Sequence, residues 1–182
     1  MEYLNIRMVR EDLEDIPQVP LPAGFGVRRY RPGDRRTWVR IWRDADDFTS
    51  MTPKTFDREF GRELDAMPKR CHFLVAPDGQ AVGTATAWRY RYLGRPWGLV
   101  HWVAVARPFQ GRGLGKGLMT VVLNRLRALG HRRALLCTQT PRFPAIRLYL
   151  GFGFVPSVVD GNDARAWRLV VPHISHPALK GI

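Results

Sequence analysis

Cysteine is scarce. The 182 residues hold two, Cys71 and Cys137. Two thiols build no disulfide framework, and neither sits in a CxxC or Cys/His spacing that would bind zinc. A reducing, cytosolic location is the simplest expectation. Long apolar runs are missing as well. The most apolar stretch, Leu99 to Ala106, contains His101 and falls far short of the ~20 residues a membrane helix needs. The N-terminus carries Glu11, Asp12, Glu14 and Asp15. It lacks the cationic start and the apolar core of about 7–15 residues that mark a signal peptide.

Carboxylates are scarce over most of the chain. Residues 1–67 hold 13 Asp and Glu against 12 Lys and Arg, whereas residues 68–182 hold 3 against 17. Between Pro68 and Val159 the single carboxylate is Asp78. The positive field of the later two-thirds implies an anionic partner: phosphates on a small molecule, nucleic acid or a membrane surface. Arginine outnumbers lysine 25 to 4. A GC-rich genome would explain part of that surplus, but not its placement.

What is present reads as one globular domain. Hydrophobic residues make up 45% and charged residues 25%, and a chain of this length buries roughly 70% of its unfolded surface. Residues 1–22, with Pro17, Pro20 and Pro22, read as an N-terminal extension, and residues 23–182 as a single domain. Phe25 to Tyr30 reads as a strand. Asp34 is placed to cap a helix carrying Trp38, Ile41, Trp42 and Ala45. Thr52-Pro53 opens a second helix with Phe56, Phe60 and Leu64 on one face. Cys71 to Ala76 and Ala81 to Tyr90 form a hairpin around Pro77-Asp78-Gly79, and Trp97 to Ala106 follows as a long strand. A helix with Leu114, Leu118, Val122, Leu126 and Leu129 on one face ends at Gly130. Ala134 to Thr138 is a strand, and Pro144 opens a short helix. Phe152 to Val159 and Ala164 to Val171 read as closing strands around Asp160-Gly161-Asn162. The order is that of a mixed α/β domain.

The chemistry concentrates in Gln110-Gly-Arg-Gly-Leu-Gly-Lys-Gly117, between an apolar strand and a helix. Unpaired N–H groups at a helix start, with glycines that let the backbone approach closely, make an anion site. A dinucleotide fingerprint needs GxGxxG and an acid about 20 positions on. Lys116 or Leu118 stands where its last glycine belongs, and no acid lies between Leu118 and Val159. A Walker loop fails too, because Gln110 replaces its first glycine and Gly117 follows Lys116.

What remains is a Q-x-x-G-x-G turn, and here the chain resembles the GNAT superfamily of N-acetyltransferases. Val103-Ala104-Val105 resembles the end of the preceding strand in that family, and Leu118-Met119 the helix start. Ala145, Tyr149, Gly153 and Phe154 match its A-x-x-x-Y-x-x-x-G-F block. The resemblance covers about residues 23–172. It implies a mixed, mostly antiparallel sheet of about 6–7 strands with about four helices, parting between the fourth and fifth strands of the domain.

The resemblance also implies a direct transfer from acetyl-coenzyme A to an amine, with no metal. The turn Gln110, Gly111, Arg112, Gly113, Leu114, Gly115 and Lys116 would cradle the pyrophosphate, with Arg112 and Lys116 adding charge. Val103, Ala104 and Val105 would lie along the pantetheine arm, the oxyanion donor nearby. Tyr149 would be the acid, since a phenol near pKa 10 is well matched to a leaving thiolate. Relatives often place a glutamate as base on the fourth strand, but no acid lies between Arg89 and Ala106. His101 is the substitute. In an extended strand it shares a face with Leu99, Val103 and Val105, and histidine suits a base at neutral pH. A structural histidine, or water carrying the proton, are the other readings. Where the family often has asparagine, seven residues before the tyrosine, this chain has Arg142, which would meet a phosphate or solvent.

The acceptor is an unidentified primary amine, small molecule or peptide. Asp44, Asp46 and Asp47 could attract a cation, though a solvated helix end is the plainer reading. Trp88, Tyr90, Tyr92, Trp97 and Trp102 could line a pocket or simply pack across strands. No membrane or nucleic-acid partner is expected, and a homodimer is left open. Two other classes remain: an acyl-CoA-binding sensor without catalysis, and a nucleic-acid-binding module, whose affinity would fall steeply with salt.

Overall fold

A computed structural model describes the whole chain except Asp47 and Thr49. Seven strands form one mixed sheet in the order β2-β3-β4-β5-β6-β1-β7. They are β1 (Asn5–Arg10), β2 (Gly26–Arg29), β3 (Cys71–Val75), β4 (Ala81–Tyr92), β5 (Arg95–Val105), β6 (Ala134–Gln139) and β7 (Val155–Ser157). The helices are α1 (Arg35–Ala45), α2 (Pro53–Phe60), the single turn α3 (Met67–Arg70), α4 (Leu114–Ala128), α5 (Phe143–Gly151) and α6 (Gly161–Val170). The register between β5 and β6 is parallel and runs through Gly98↔Ala134 and Leu99↔Leu135, at the start of β6. β1 runs antiparallel to both β6 and β7. The mixed sheet expected from sequence is therefore present. None of the helices described is long and apolar enough to cross a membrane.

The chain divides into two compact units. One comprises residues 18–88 and 100–125. Its core is aromatic: Trp38, Phe56, Phe60 and Phe73 are almost wholly buried. α1 turns Trp38, Val39, Ile41 and Trp42 inward, at the spacing of one helical face. α2 begins with a reciprocal cap, in which the Thr52 hydroxyl accepts the Thr55 N–H and the Thr55 hydroxyl accepts the Thr52 N–H. Phe56 and Phe60 continue that face as expected. Leu64 does not, because the chain leaves the α-helix at Gly61 for a 3-10 segment and exposes it.

Asp34 stands at the N-cap of α1 but makes no side-chain cap. Its carboxylate is taken instead by the Arg28 guanidinium, at 2.6 and 2.7 Å, and by the Arg31 N–H at 2.6 Å. The fork geometry of arginine outcompetes a single backbone donor. Gly117, on α4, faces Leu21, and a Cβ there would lie 2.5 Å from Leu21 Cδ2 and 3.4 Å from its Cα. Gly117 thus serves packing rather than anion binding. Gly117→Ala is expected to destabilise the protein by about 1–3 kcal/mol, the usual range for overpacking. A urea melt reads this; an unchanged midpoint would show that Leu21 gives way freely.

The other unit comprises residues 1–17, 89–99 and 126–182. Ile6, Met8, Phe154 and Trp167 are buried in it. The segment read from sequence as an extension supplies β1, where Ile6, Met8 and Arg10 alternate inward. Arg10 is buried because three carbonyls satisfy it, those of Asp12, Asp15 and Phe152, at 2.6–2.8 Å. The closing strands expected over 152–159 and 164–171 are corrected. Only Val155–Ser157 is a strand, and Gly161–Val170 is a helix. Asp160 caps it, its carboxylate accepting the N–H groups of Asn162 and Asp163. Ala166, Trp167 and Val170 then meet the core at helical spacing.

Candidate active site

The glycine-rich turn lies wholly within the first-described unit. Arg107–Phe109 forms one 3-10 turn after β5, and α4 starts at Leu114. Between them Gly111 and Gly113 sit at φ 75° and 76°. A side chain there would be strained, although open space surrounds both. The turn is exposed from Gln110 to Gly113, whereas Leu114 is buried and anchors the helix. No acid occupies the first turn of α4. The helix therefore presents its positive end and its unpaired N–H groups beside an exposed glycine backbone.

Gln110 braces this turn. Its amide nitrogen donates to the carbonyls of Val105 (2.8 Å) and Ala45 (3.3 Å). The side chain ties the end of β5 to the end of α1, so its family-matched position has a local physical reason. Arg112 lies back over the turn, donating to Pro108 O at 3.0 Å with its guanidinium 5.3 Å from the Phe109 ring centre. Lys116 is exposed in the first turn of α4. Both cations can reach an anion on the turn by rotating exposed side chains.

On β5 the expected alternation breaks at Trp102, which has φ 52°. A left-handed bulky residue inside a strand is strained and marks a bulge. His101 and Val103 therefore do not follow from simple two-residue alternation, and the shared face expected from sequence stops at the bulge. Two anchors hold the conformation. The Trp102 ring packs edge-on against Trp38 and Trp42, at 5.2 and 4.8 Å between centres, and its indole N–H donates to Glu59 Oε2 at 3.1 Å. Beyond the bulge, Ala104 is buried and Val103 and Val105 are half-buried.

Glu59, near the end of α2, also meets His101, with Nε2 3.4 Å from Oε2. Its other oxygen accepts from Arg58 Nε at 3.1 Å. The hydrogen bond with His101, outweighing burial and joined by those from Trp102 and Arg58, holds the Glu59 carboxyl down to about 2. His101 is half-buried, its ring edge-on to Phe60 at 5.7 Å. Sequence alone does not single out Glu59. It lies far from β5 along the chain, and only its position one residue before buried Phe60 hinted at a partly buried acid.

Tyr149 and Arg142 belong to the other unit. Tyr149 is buried on α5 against Phe154, and burial pushes its phenol up to about 12 against a smaller opposing pull from Arg142. Arg142 precedes α5, and its guanidinium donates to the Tyr3 hydroxyl at 3.3 Å. The aromatics of β4 and β5 make packing contacts. Tyr92 meets Trp97 and bonds Ser157, Trp88 meets Phe60, and Tyr90 is exposed. Asp44 pairs with Arg40 at 3.7 Å, and Asp46 Oδ1 accepts the Phe48 N–H. Asp47 lies outside the described residues. Among the described residues no cluster of His, Cys, Asp and Glu could hold a metal.

Acid should destabilise the unit in two stages. Burial, helped by Arg125 and Arg29, drives the His72 imidazole down to about 4, so the fold prefers it neutral. Its contribution is complete above its ordinary 6.5 and is lost as pH falls toward 4. Glu59 is also depressed, so its contribution is complete above 4.5 and is lost as pH falls toward 2. Urea midpoints should fall from pH 8 to pH 5 and again to pH 3. Equal midpoints at pH 8 and 5 would contradict the His72 argument.

Comparison with known proteins accords with this geometry. The pattern of the acetyltransferase (GNAT) family matches residues 36–154, and the chain belongs to that family. It is 31% identical over 157 residues to a mycothiol acetyltransferase of Thermomonospora curvata, covering 84% of this chain and 52% of that protein. The crystal structure of a GCN5-related N-acetyltransferase from Sphaerobacter thermophilus superposes with a TM-score of 0.68 at 24% identity, covering 85% of this chain and 50% of that one. The NatC complex bound to Gag peptide and CoA gives a TM-score of 0.61 at 16% identity, covering 74% and 86%. The chain spans about half the length of the curated relatives it matches.

Proposed function

We propose that the chain transfers an acetyl group from acetyl-CoA to a primary amine by direct attack in a ternary complex. The observation that carries this is the turn of Gly111 and Gly113, left-handed and exposed, opening onto the acid-free start of α4. The diphosphate of the cofactor sits on the N–H groups of this turn, with Arg112 and Lys116 as counter-charges. The pantetheine arm runs along Val103–Val105. The bulge at Trp102 releases backbone polar groups from the ladder, and one freed N–H polarises the thioester carbonyl. His101 takes the proton released by the attacking amine.

Tyr149 serves the leaving thiolate. A phenol raised to about 12 holds its proton at working pH. It therefore acts as a hydrogen-bond donor to the thiolate, not as the closely matched acid expected of an unperturbed phenol. Such a bond to a charged group is worth about 1.5–3 kcal/mol. Tyr149→Phe should then lower kcat by about 10–100-fold while changing the acetyl-CoA Kd far less. Unchanged turnover would remove the role.

The acceptor is read from a panel of amines by free-thiol release from acetyl-CoA. Small amines, peptide N-termini and mycothiol-related amines belong in it, the last because of the relatives' activity. The Glu59–His101 pair favours catalysis over a cofactor-sensing role. Thiol release with at least one amine supports transfer; binding without release to any amine favours the sensor.

A further inference from the structure

The carboxylate that β5 lacks is supplied by α2. Glu59 Oε2 faces both His101 Nε2 and the Trp102 indole N–H, at 3.4 and 3.1 Å, and Oε1 faces Arg58 Nε at 3.1 Å. We propose that Glu59 is a positioning residue that locks His101 with its proton on Nε2, leaving Nδ1 as the acceptor for the proton of the attacking amine. The inference rests on the acetyltransferase reading for its purpose, though not for its geometry.

The argument starts from donors and acceptors. An ionised carboxylate only accepts, so the imidazole nitrogen facing it must carry hydrogen. A neutral imidazole has one N–H, and Nδ1 is then left with its lone pair. Glu59 is itself a poor base, because both its oxygens already accept hydrogen bonds. The 3.4 Å separation is long, as such contacts often are before substrate binds. The ring cannot easily turn away: Phe60 lies 5.7 Å to one side and Trp102 5.7 Å to another. Trp102 is held by the same carboxylate oxygen, so one residue fixes both the bulge and the imidazole.

The proton balance closes. The neutral amine forms an N–C bond to the thioester carbonyl, and the resulting ammonium gives one proton to His101 Nδ1. The C–S bond breaks and its electron pair leaves on the thiolate. The imidazolium, protonated on both nitrogens, is stabilised by the Glu59 charge until it returns its proton to solvent. Arg58 and Glu59 are the charged groups on α2 that bear on this step.

Two measurements test it on the 182-residue chain. Nitrogen-15 NMR of histidine-labelled protein at pH 8, with the His101 signal assigned by its loss in His101→Gln, should show the Nε2–H tautomer alone. Glu59→Met, which removes the acceptor but keeps the bulk, should relax His101 to a mixture. The Nδ1–H tautomer in the wild type, or an unchanged spectrum in a folded Glu59→Met, would overturn the proposal. Kinetics with acetyl-CoA and an amine that releases thiol form a double-mutant cycle. Glu59→Gln should lower kcat about tenfold or more with acetyl-CoA KM unchanged, yet change it less than about twofold in a His101→Gln background. Glu59→Asp should recover part of the rate. Equal losses in both backgrounds would make Glu59 an independent base or a merely structural residue, and would overturn the assignment. The NMR result needs no cofactor, so failure of the acetyltransferase reading would show separately, as absent acetyl-CoA binding.

Discussion

Gly113→Asp is expected to weaken acetyl-CoA binding by at least about 100-fold, or roughly 2.7 kcal/mol, while leaving the protein folded. Aspartate tolerates the left-handed region better than most residues, and a carboxylate at a helix start satisfies its N–H groups and suits its dipole. The variant should therefore stay folded, with a melting midpoint lowered by no more than the left-handed strain of about 1–2 kcal/mol at that position. What it disfavours is an external anion at the same donors. The new carboxylate occupies the donors a diphosphate would use and repels it. Position 113 is apt because no atom lies within 4 Å of the position a Cβ would take, so its left-handed φ of 76° is the strain the new side chain meets there. Calorimetric titration with acetyl-CoA reads the effect. An affinity within about threefold of wild type would show that the cofactor binds elsewhere.

His101→Gln is expected to lower kcat by about 10²–10⁴-fold, the usual contribution of a general base, with little change in acetyl-CoA Kd. Glutamine is chosen because its amide can still donate to Glu59, so the carboxylate and the Trp102 contact keep their partners. A kcat within about twofold of wild type would pass proton removal to water and leave His101 a packing residue beside Phe60 and Trp102.

Local signals in the sequence were strong enough to read much of this. Glycines at 111 and 113 between an apolar strand and an amphipathic helix permit left-handed backbone at little steric cost, and both adopt it. The hairpin turn at Pro77-Asp78-Gly79 and the cap at Gly130 are equally local, with φ 83° at Gly79 and 85° at Gly130. Elsewhere two local signals compete. Asp160-Gly161-Asn162 fits a turn between strands as well as a helix cap, and the buried Ala166, Trp167 and Val170 decide for the helix. In residues 5–10 Ile6, Met8 and Arg10 alternate inward, whereas Pro17, Pro20 and Pro22 point to an extension. The site's partners were beyond local reach. Nothing near Glu59 or His101 in sequence says that α2 delivers a carboxylate to β5, and nothing in a Trp-Val-Ala run announces a left-handed tryptophan. Gln110 was read as part of the cradle, and the structure adds its bracing of Val105 and Ala45.

The most direct measurement is titration of the 182-residue chain with acetyl-CoA, followed by hydrogen exchange of the amides from 110 to 117. Saturable heat together with slowed exchange confined to that turn and the adjoining part of β5 is the predicted result. Heat without protection there, or no heat at all, would contradict the claim that the mouth of α4 grips the cofactor.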